Sequence, residues 1–140
     1  MDYRRFENTI YARIDKGEEI LEQLKNISLK ENIKLANINA LGAIGDFTVG
    51  AFDTKEKKYY SKRITGIFEI VSLTGTVTTM NDEYYAHLHL SAGNQNGEVF
   101  GGHLNSAVVS ATCEMVINIS DGRVERYFDE EVGLNLFKFL

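Results

Sequence analysis

A long stretch of alternating side chains, residues 107–120, constrains the fold of this chain more than any other feature. Apolar residues occupy every second position from Val109 to Ile119, and polar residues fill most of the positions between them. A period of two residues is typical of a β-strand with one apolar face, because successive side chains point to opposite sides of a strand. The stretch is therefore the longest strand candidate of the chain, and one of its faces is expected to pack on a core.

Further strands are predicted along the rest of the chain. Residues 9–15 and 84–91 alternate in the same way, and β-branched or apolar residues dominate the segments 33–43, 47–52, 58–64 and 66–77. Gly42 and Gly45 indicate a break between two of these strands. Asp121 and Gly122 indicate a tight hairpin turn, for which residues 123–128 would be the return strand.

One helix is predicted, over residues 18–31. Its apolar residues recur at helical spacing, and acidic residues lie at its start, where the helix dipole favours them. Many short strands with one helix predict the α+β class, with a mostly antiparallel sheet, one main helix and short flanking elements.

Length and composition predict a single domain over residues 1–140. Hydrophobic residues make up 44% of the 140 positions, which is enough for a core and argues against disorder. No apolar run approaches the roughly 18 residues that span a bilayer, and the start lacks the apolar stretch of a secretory signal. Cys113 is the sole cysteine and is expected as a buried core thiol, which favours a reducing, cytoplasmic location.

All three histidines lie in one short stretch, as His87, His89 and His103. His87 and His89 are two positions apart in a predicted strand, so both imidazoles leave the same face. His103 follows Gly101 and Gly102 in a predicted glycine-rich loop, whose backbone freedom would let it approach the pair. Three neutral imidazoles with an open position form the ligand set of a catalytic metal site. Zinc is the expected ion, and Fe, Ni, Co, Mn or Cu also suit imidazole ligands.

A simpler interpretation of the histidines stays open. A His-x-His pair on a strand also occurs on an exposed face beside a cross-strand partner, without any metal. The pair is a weak signal alone, and it gains specificity from Gly-Gly-His and from the use of every histidine in the chain.

Two carboxylates and one arginine are candidates to join the site. Glu69 and Glu114 interrupt apolar strands, and a buried glutamate needs a cation, a metal or a ring nitrogen as its partner. Arg13 lies on the polar face of the first predicted strand and would suit such a carboxylate or an anionic ligand. The alternative is that all three face solvent, which the polar neighbours of Glu114 favour.

Residues 55–63 form the one segment that resembles a nucleic-acid contact. The candidate cations are Lys57, Lys58, Lys62 and Arg63, with Tyr59 and Tyr60 between them. A solvated hairpin whose charges block edge-to-edge aggregation is the favoured interpretation. The formal net charge of −5, from 15 basic and 20 acidic residues, disfavours a protein that coats nucleic acid through bulk charge.

Six segments together resemble the PPC family (plants and prokaryotes conserved domain). They occur in the family's order over nearly the whole chain: RIDKGEE at 13–19, GAIG at 42–45, FEIVSLTG at 68–75, HLH at 87–89, GGHL at 101–104 and ATCE at 111–114. An ordered set of this kind is far more specific than any single motif. The chain thus resembles a microbial, stand-alone member of the family.

This resemblance implies an α+β domain that assembles as a homotrimer. It also implies that His87, His89 and His103 are metal ligands, as proposed for microbial members. The fold is similar to that of acetolactate decarboxylase, in which three histidines bind a catalytic zinc, so a metal-dependent lyase or hydrolase acting on a small molecule is one expected function. There the metal would polarise a carbonyl or activate water, with Glu69 or Glu114 moving protons.

The family is also commonly described as DNA-binding. In plant members the contact is attributed to an AT-hook of the Arg-Gly-Arg-Pro type, and this chain contains no proline. The net charge of −5 leaves only residues 55–63 as a source of duplex affinity. Three hypotheses result. The first is a metal- or ligand-binding protein, of which the lyase or hydrolase is one version. The others are a DNA-associated regulator and an oligomeric module that docks a partner protein.

Overall fold

The computed structural model describes residues 1–140 and contains eight strands and one helix. The strands are β1 (Asp2–Phe6), β2 (Thr9–Asp15), β3 (Ala36–Asp53), β4 (Lys58–Met80), β5 (Glu83–Gly93), β6 (Val99–Ile119), β7 (Glu125–Asp129) and β8 (Leu134–Lys138), and helix α1 is Ile20–Lys30. All strand pairs are antiparallel, which confirms the predicted α+β class. No helix has the length and apolar character that crossing a membrane requires.

Six strands form the main sheet, in the order β1-β2-β6-β3-β4-β5. β5 also pairs with the first residues of β6, so β3, β4, β5 and β6 form a closed cycle of hydrogen-bonded neighbours. Within this cycle, residues 89–93 of β5 lie antiparallel to residues 99–103 of β6. The cycle therefore joins two segments that a loop separates in the sequence.

The sheet and α1 together contribute 25 buried hydrophobic residues to one core. β6 confirms the alternation at Val109, Cys113, Met115 and Ile117, which are buried. The alternation breaks at Ala111, which is exposed where the register of β6 against β3 shifts. Burial raises the pKa of the Cys113 thiol to about 12, as expected for a core thiol. Helix α1 covers the core with Ile20, Leu24 and Ile27.

Glu19 fixes the start of α1 and ties it to β6. One carboxylate oxygen accepts a hydrogen bond from the Glu22 backbone N–H at 2.8 Å, which satisfies a free donor of the first helical turn. The other oxygen accepts from the Ala107 N–H at 2.9 Å. The acidic start predicted for the helix thus also positions the helix on the sheet.

The break predicted at Gly42 and Gly45 is wrong. Both glycines lie inside β3, where register shifts between Ala40 and Gly42 and between Ile44 and Asp46 mark β-bulges. Gly42 has φ +150°, and a Cβ there would lie 2.7 Å from the Cα of Cys113. Glycine at this position lets neighbouring strands approach closely, so the strand bends and continues instead of ending.

The prediction of residues 123–128 as the return strand after Asp121-Gly122 is also wrong. β6 already pairs with β2 along one edge and with β3 along the other, so no edge is free for a returning strand. β7 pairs instead with β8 in a separate two-stranded sheet, which is called the β7–β8 hairpin below. The Thr79 N–H donates to the Val124 carbonyl at 3.2 Å and holds the entry to this hairpin against β4.

Candidate metal centre

Strands β5 and β6 bring the three histidines together. His89 is the direct cross-strand partner of His103, and His87 lies two residues before His89 on the same strand. The loop predicted for His103 is wrong, because residues 99–103 belong to β6. Gly102 has φ +158°, and a Cβ there would lie 2.5 Å from the Gly50 carbonyl oxygen, so glycine allows β6 to lie this close to β3.

The imidazole rings form a compact triangle. The ring centre of His87 lies 5.1 Å from the ring centres of both His89 and His103. The ring centres of His89 and His103 are 5.8 Å apart. The Nε2 atoms of His87 and His89 are 3.2 Å apart, and one ring nitrogen from each histidine lies within 4.8 Å of the others. Tetrahedral ligands with bonds near 2.1 Å have nitrogens roughly 3.4 Å apart, so the cluster fits a metal ion.

The surroundings of His87 and His103 favour the neutral form of these two rings, which is the form that binds metals. Desolvation lowers the pKa of His87 to about 4, with further contributions from the charges of His103, His89 and Arg126. Burial, followed by the charge of His89, also lowers the pKa of His103. Neutral imidazole is the ligand form, so protons compete little with a metal at these two rings near neutral pH.

The histidines line a cavity of about 850 Å³, which is called the histidine cavity below. A volume of this size is typical of small-molecule sites. No aspartate, glutamate or cysteine joins the three histidines, so a metal held by them would keep an open coordination position. Tyr59 borders the cluster, with its ring centre 5.9 Å from that of His103.

The carboxylates and the arginine suggested by the sequence lie elsewhere. Glu69 is exposed on β4, between Ala43 and Gly93 of the adjacent strands. Arg13 and Glu114 are exposed partners on β2 and β6, and both line a second cavity of about 780 Å³. None of the three lines the histidine cavity.

The basic segment forms the exposed end of the β3–β4 hairpin, and one of its four candidate cations is paired with a carboxylate. Arg63 makes a two-bonded ion pair with Asp46, at 2.9 and 2.6 Å. Lys58 lies over the ring of Tyr60 at 4.8 Å, and the Lys57 ammonium donates to the Glu131 carbonyl. Lys62 is exposed. Asp46 therefore compensates the charge of Arg63, whereas the charges of the three lysines have no carboxylate partner.

Sequence reasoning missed the side of the histidine cavity that the β7–β8 hairpin forms. Arg126 and Phe137 line the cavity from this hairpin, and Tyr85 lines it from β5. Nothing in the sequence around Arg126 distinguishes it from a surface arginine. Its burial depends on contacts with β4, about fifty residues earlier in the chain.

The fold and the site define a class of small antiparallel α+β proteins with a three-histidine cluster at the wall of a cavity. The model of the Plants and Prokaryotes Conserved (PCC) domain matches residues 1–121. The chain belongs to this family, which confirms the PPC resemblance.

Solved structures support this assignment. A protein of Bacteroides thetaiotaomicron, described as a candidate DNA-binding protein, is 32% identical with a TM-score of 0.96, over 99% of this chain and 96% of that one. A metal-containing protein of Archaeoglobus fulgidus is 33% identical with a TM-score of 0.87, over 99% and 97%. The PPC protein of Pyrococcus horikoshii is 33% identical with a TM-score of 0.85, over 99% and 94%. Among curated proteins, no sequence matches this chain.

Proposed function

We propose that this chain is a metal-binding protein in which His87, His89 and His103 hold one divalent ion beside a small-molecule cavity. The observation that carries the proposal is the meeting of three imidazole nitrogens within 4.8 Å of one another. The description of the Archaeoglobus fulgidus relative as metal-containing supports it.

Zinc is the ion that this donor set favours. Three nitrogen ligands with an open fourth position are typical of catalytic zinc, whereas structural zinc sites are closed by four protein ligands. Bound zinc would supply a Lewis acid at the wall of the histidine cavity, which supports a lyase or hydrolase acting on a small molecule. Glu69, Glu114 and Arg13 lie outside this cavity within one chain, so a catalytic role for them requires a neighbouring subunit.

Elemental analysis of the purified protein tests the metal site. We expect about one zinc per chain, and a cobalt-substituted sample should show the visible absorption of four-coordinate cobalt, since three histidines leave one position for water. Protein that contains no metal and binds neither zinc nor nickel would contradict the proposal. It would favour the alternative of a module that only docks a partner protein.

We also infer that the chain assembles as a homotrimer through the outer face of its main sheet. Tyr11, Leu41 and Val71 line the second cavity there and are 57%, 57% and 62% exposed. A shared apolar surface of this kind is typical of an interface between subunits.

Charge substitutions on this face are expected to dissociate the trimer. The unmodified chain should have three times the subunit mass of 15.8 kDa in light scattering. The double variant Leu41→Asp, Val71→Asp should have the mass of one chain, because unpaired carboxylates are costly to bury in an interface. Leu29→Asp, at an exposed leucine of α1, is the control and should leave the trimer intact. A double variant that stays trimeric would exclude this face.

DNA binding is the second candidate function, and the description of the Bacteroides thetaiotaomicron relative favours it. Since the chain carries a net charge of −5 and Asp46 compensates Arg63, we expect only weak retention of duplex DNA at low salt, lost by about 150 mM. Replacing Lys57, Lys58, Lys62 and Arg63 with glutamine should remove even this retention. A mobility shift that persists at physiological salt and needs these four residues would establish DNA binding instead.

We infer that residues 1–140 act as one domain. The family model ends at residue 121, but the β7–β8 hairpin completes the cavity of the histidines. The cytoplasmic location stays a prediction of the sequence.

A further inference from the structure

The β7–β8 hairpin forms one wall of the histidine cavity. It contributes Arg126, Phe128, Leu134, Asn135, Leu136 and Phe137 to the lining. Four of these six side chains are apolar, and Arg126 is the only lysine, arginine, aspartate or glutamate in the whole lining. The hairpin therefore adds an apolar surface and one positive charge to the site.

Arg126 is buried and held in a fixed position. The residue is only 6% exposed. The Nε–H donates to the Thr78 hydroxyl at 2.9 Å, and Nη1 donates to the Asn135 carbonyl at 3.0 Å. Nη2 lies 3.5 Å from the Thr76 hydroxyl. The guanidinium carbon lies 4.5 and 4.6 Å from the centres of two aromatic rings, those of Tyr85 and Phe137.

No negative charge compensates this guanidinium. All three hydrogen-bond acceptors around it are neutral, and no carboxylate forms an ion pair with it within 4.0 Å. These contacts use three of the five N–H groups of an arginine, so two remain for another partner. Buried arginines are almost always paired with an acid, since an isolated charge is costly to bury.

The charge of the histidine cavity contrasts with that of the chain. The protein carries 20 acidic and 15 basic residues, yet no acidic residue lines this cavity. A divalent ion on the three histidines would make the cavity more positive still. No residue of this chain supplies the counter-charge, and an anion that enters the cavity would supply it.

We propose that the histidine cavity binds a small organic anion whose carboxylate pairs with Arg126. The planar guanidinium matches a carboxylate, which can accept two parallel N–H bonds. The phenylalanine and leucine side chains of the hairpin favour a carbon skeleton over an inorganic ion. This proposal deepens the proposed function at the same cavity. The ion pair with Arg126 does not require the metal, which would face only the other end of the bound ligand.

Titration calorimetry with benzoate and benzamide tests the proposal in the zinc-loaded protein. The two probes have nearly the same shape and differ in charge, so their affinity ratio measures what the negative charge contributes to binding. We expect benzoate to bind at least about tenfold more tightly than benzamide. Equal affinities would overturn the proposal, and so would inorganic phosphate binding more tightly than benzoate.

Substitution of Arg126 separates its charge from its structural contacts. Arg126→Gln should lower benzoate affinity about tenfold and leave benzamide affinity unchanged, and Arg126→Lys should restore part of the difference. Arg123→Gln, three residues earlier and exposed in ion pairs with Asp82 and Glu125, is the matched control and should behave as the unmodified chain. A folded Arg126→Gln protein that still prefers benzoate as strongly would overturn the proposal. If neither variant folds, the probe comparison in the unmodified chain decides.

The same titrations without zinc distinguish this proposal from the metal site. Benzoate can also bind zinc directly, whereas an ion pair with Arg126 persists in metal-free protein. Preference for benzoate that survives zinc removal supports Arg126, even in a protein that proves to bind no metal. If the preference for benzoate over benzamide is lost when zinc is removed, the role of Arg126 is overturned and the metal site is not affected. The same holds for a protein that binds zinc but shows no preference for benzoate.

Discussion

Replacing His87 with alanine is expected to abolish stoichiometric zinc binding. His87 is the central ligand of the cluster, 5.1 Å from each of the other two rings, and its Nε2 lies 3.2 Å from that of His89. The two remaining imidazoles, His89 on β5 and His103 on β6, would leave the ion with only two protein ligands. We expect the zinc affinity to fall by more than about 100-fold. Loss of a residue that only hydrogen-bonds to a metal ligand already costs roughly 10–100-fold. Competition with a fluorescent zinc chelator measures this change.

Thr74→Ala is the control for this substitution. Thr74 is exposed on β4 and pairs with His89, so the variant changes the same part of the sheet without removing a ligand. It should bind zinc as the unmodified chain does. Zinc retained at one per chain in His87→Ala would show that the three histidines do not form the site. Added zinc should also raise the melting temperature of the control but not of His87→Ala.

The substitution Gly75→Ala is expected to destabilise the fold by about 3 kcal/mol. Gly75 lies on β4 opposite Leu88, between the two histidines of β5. A Cβ at this position would overlap the carbonyl oxygen of His87 and lie 2.6 Å from the Cα of Leu88. These are backbone atoms, which cannot rotate away as the end of a side chain can, so β5 has to shift. Urea unfolding of the metal-free protein, with the protein concentration the same for all variants, measures the loss of unfolding free energy.

Gly45→Ala is the matched control for Gly75→Ala. Gly45 also lies inside a long strand, but a Cβ there would meet its nearest atoms at 3.5 Å, an ordinary contact. We expect its free energy of unfolding to stay within about 1 kcal/mol of the unmodified value. Because the shift of β5 moves His87, Gly75→Ala should also weaken zinc binding, which Gly45→Ala should not. Equal stabilities of the two variants would contradict the close approach of β4 and β5.

Local periodicity was sufficient to predict those elements whose burial follows from their own sequence. The alternation of residues 9–15 corresponds to β2 at both ends, and the helical spacing of Ile20, Leu24 and Ile27 corresponds to α1. The pairing of the β7–β8 hairpin could not be predicted in this way. It depends on β6 having both edges occupied, which is a property of the assembled sheet and not of residues 121–128.

The candidate site was predictable in part for the same reason. The face shared by His87 and His89 follows from strand geometry alone. The position of His103 on β6 could not be predicted without knowing that β5 and β6 pair, because the two glycines before His103 are typical of a loop. Arg126 was not predictable, since its burial is created by Thr76 and Thr78 on β4.

The closed cycle of β3, β4, β5 and β6 bears on how the ion would arrive. β5 is held by β4 along one edge and by β6 at the histidines along the other, so it cannot slide without breaking hydrogen bonds on both sides. In zinc fingers, by contrast, the ligands assemble only as the metal folds the chain. Here the hydrogen bonds of the fold fix the strands that carry the ligands, so the speed of metal uptake should be governed by how fast the hydrated ion sheds its water.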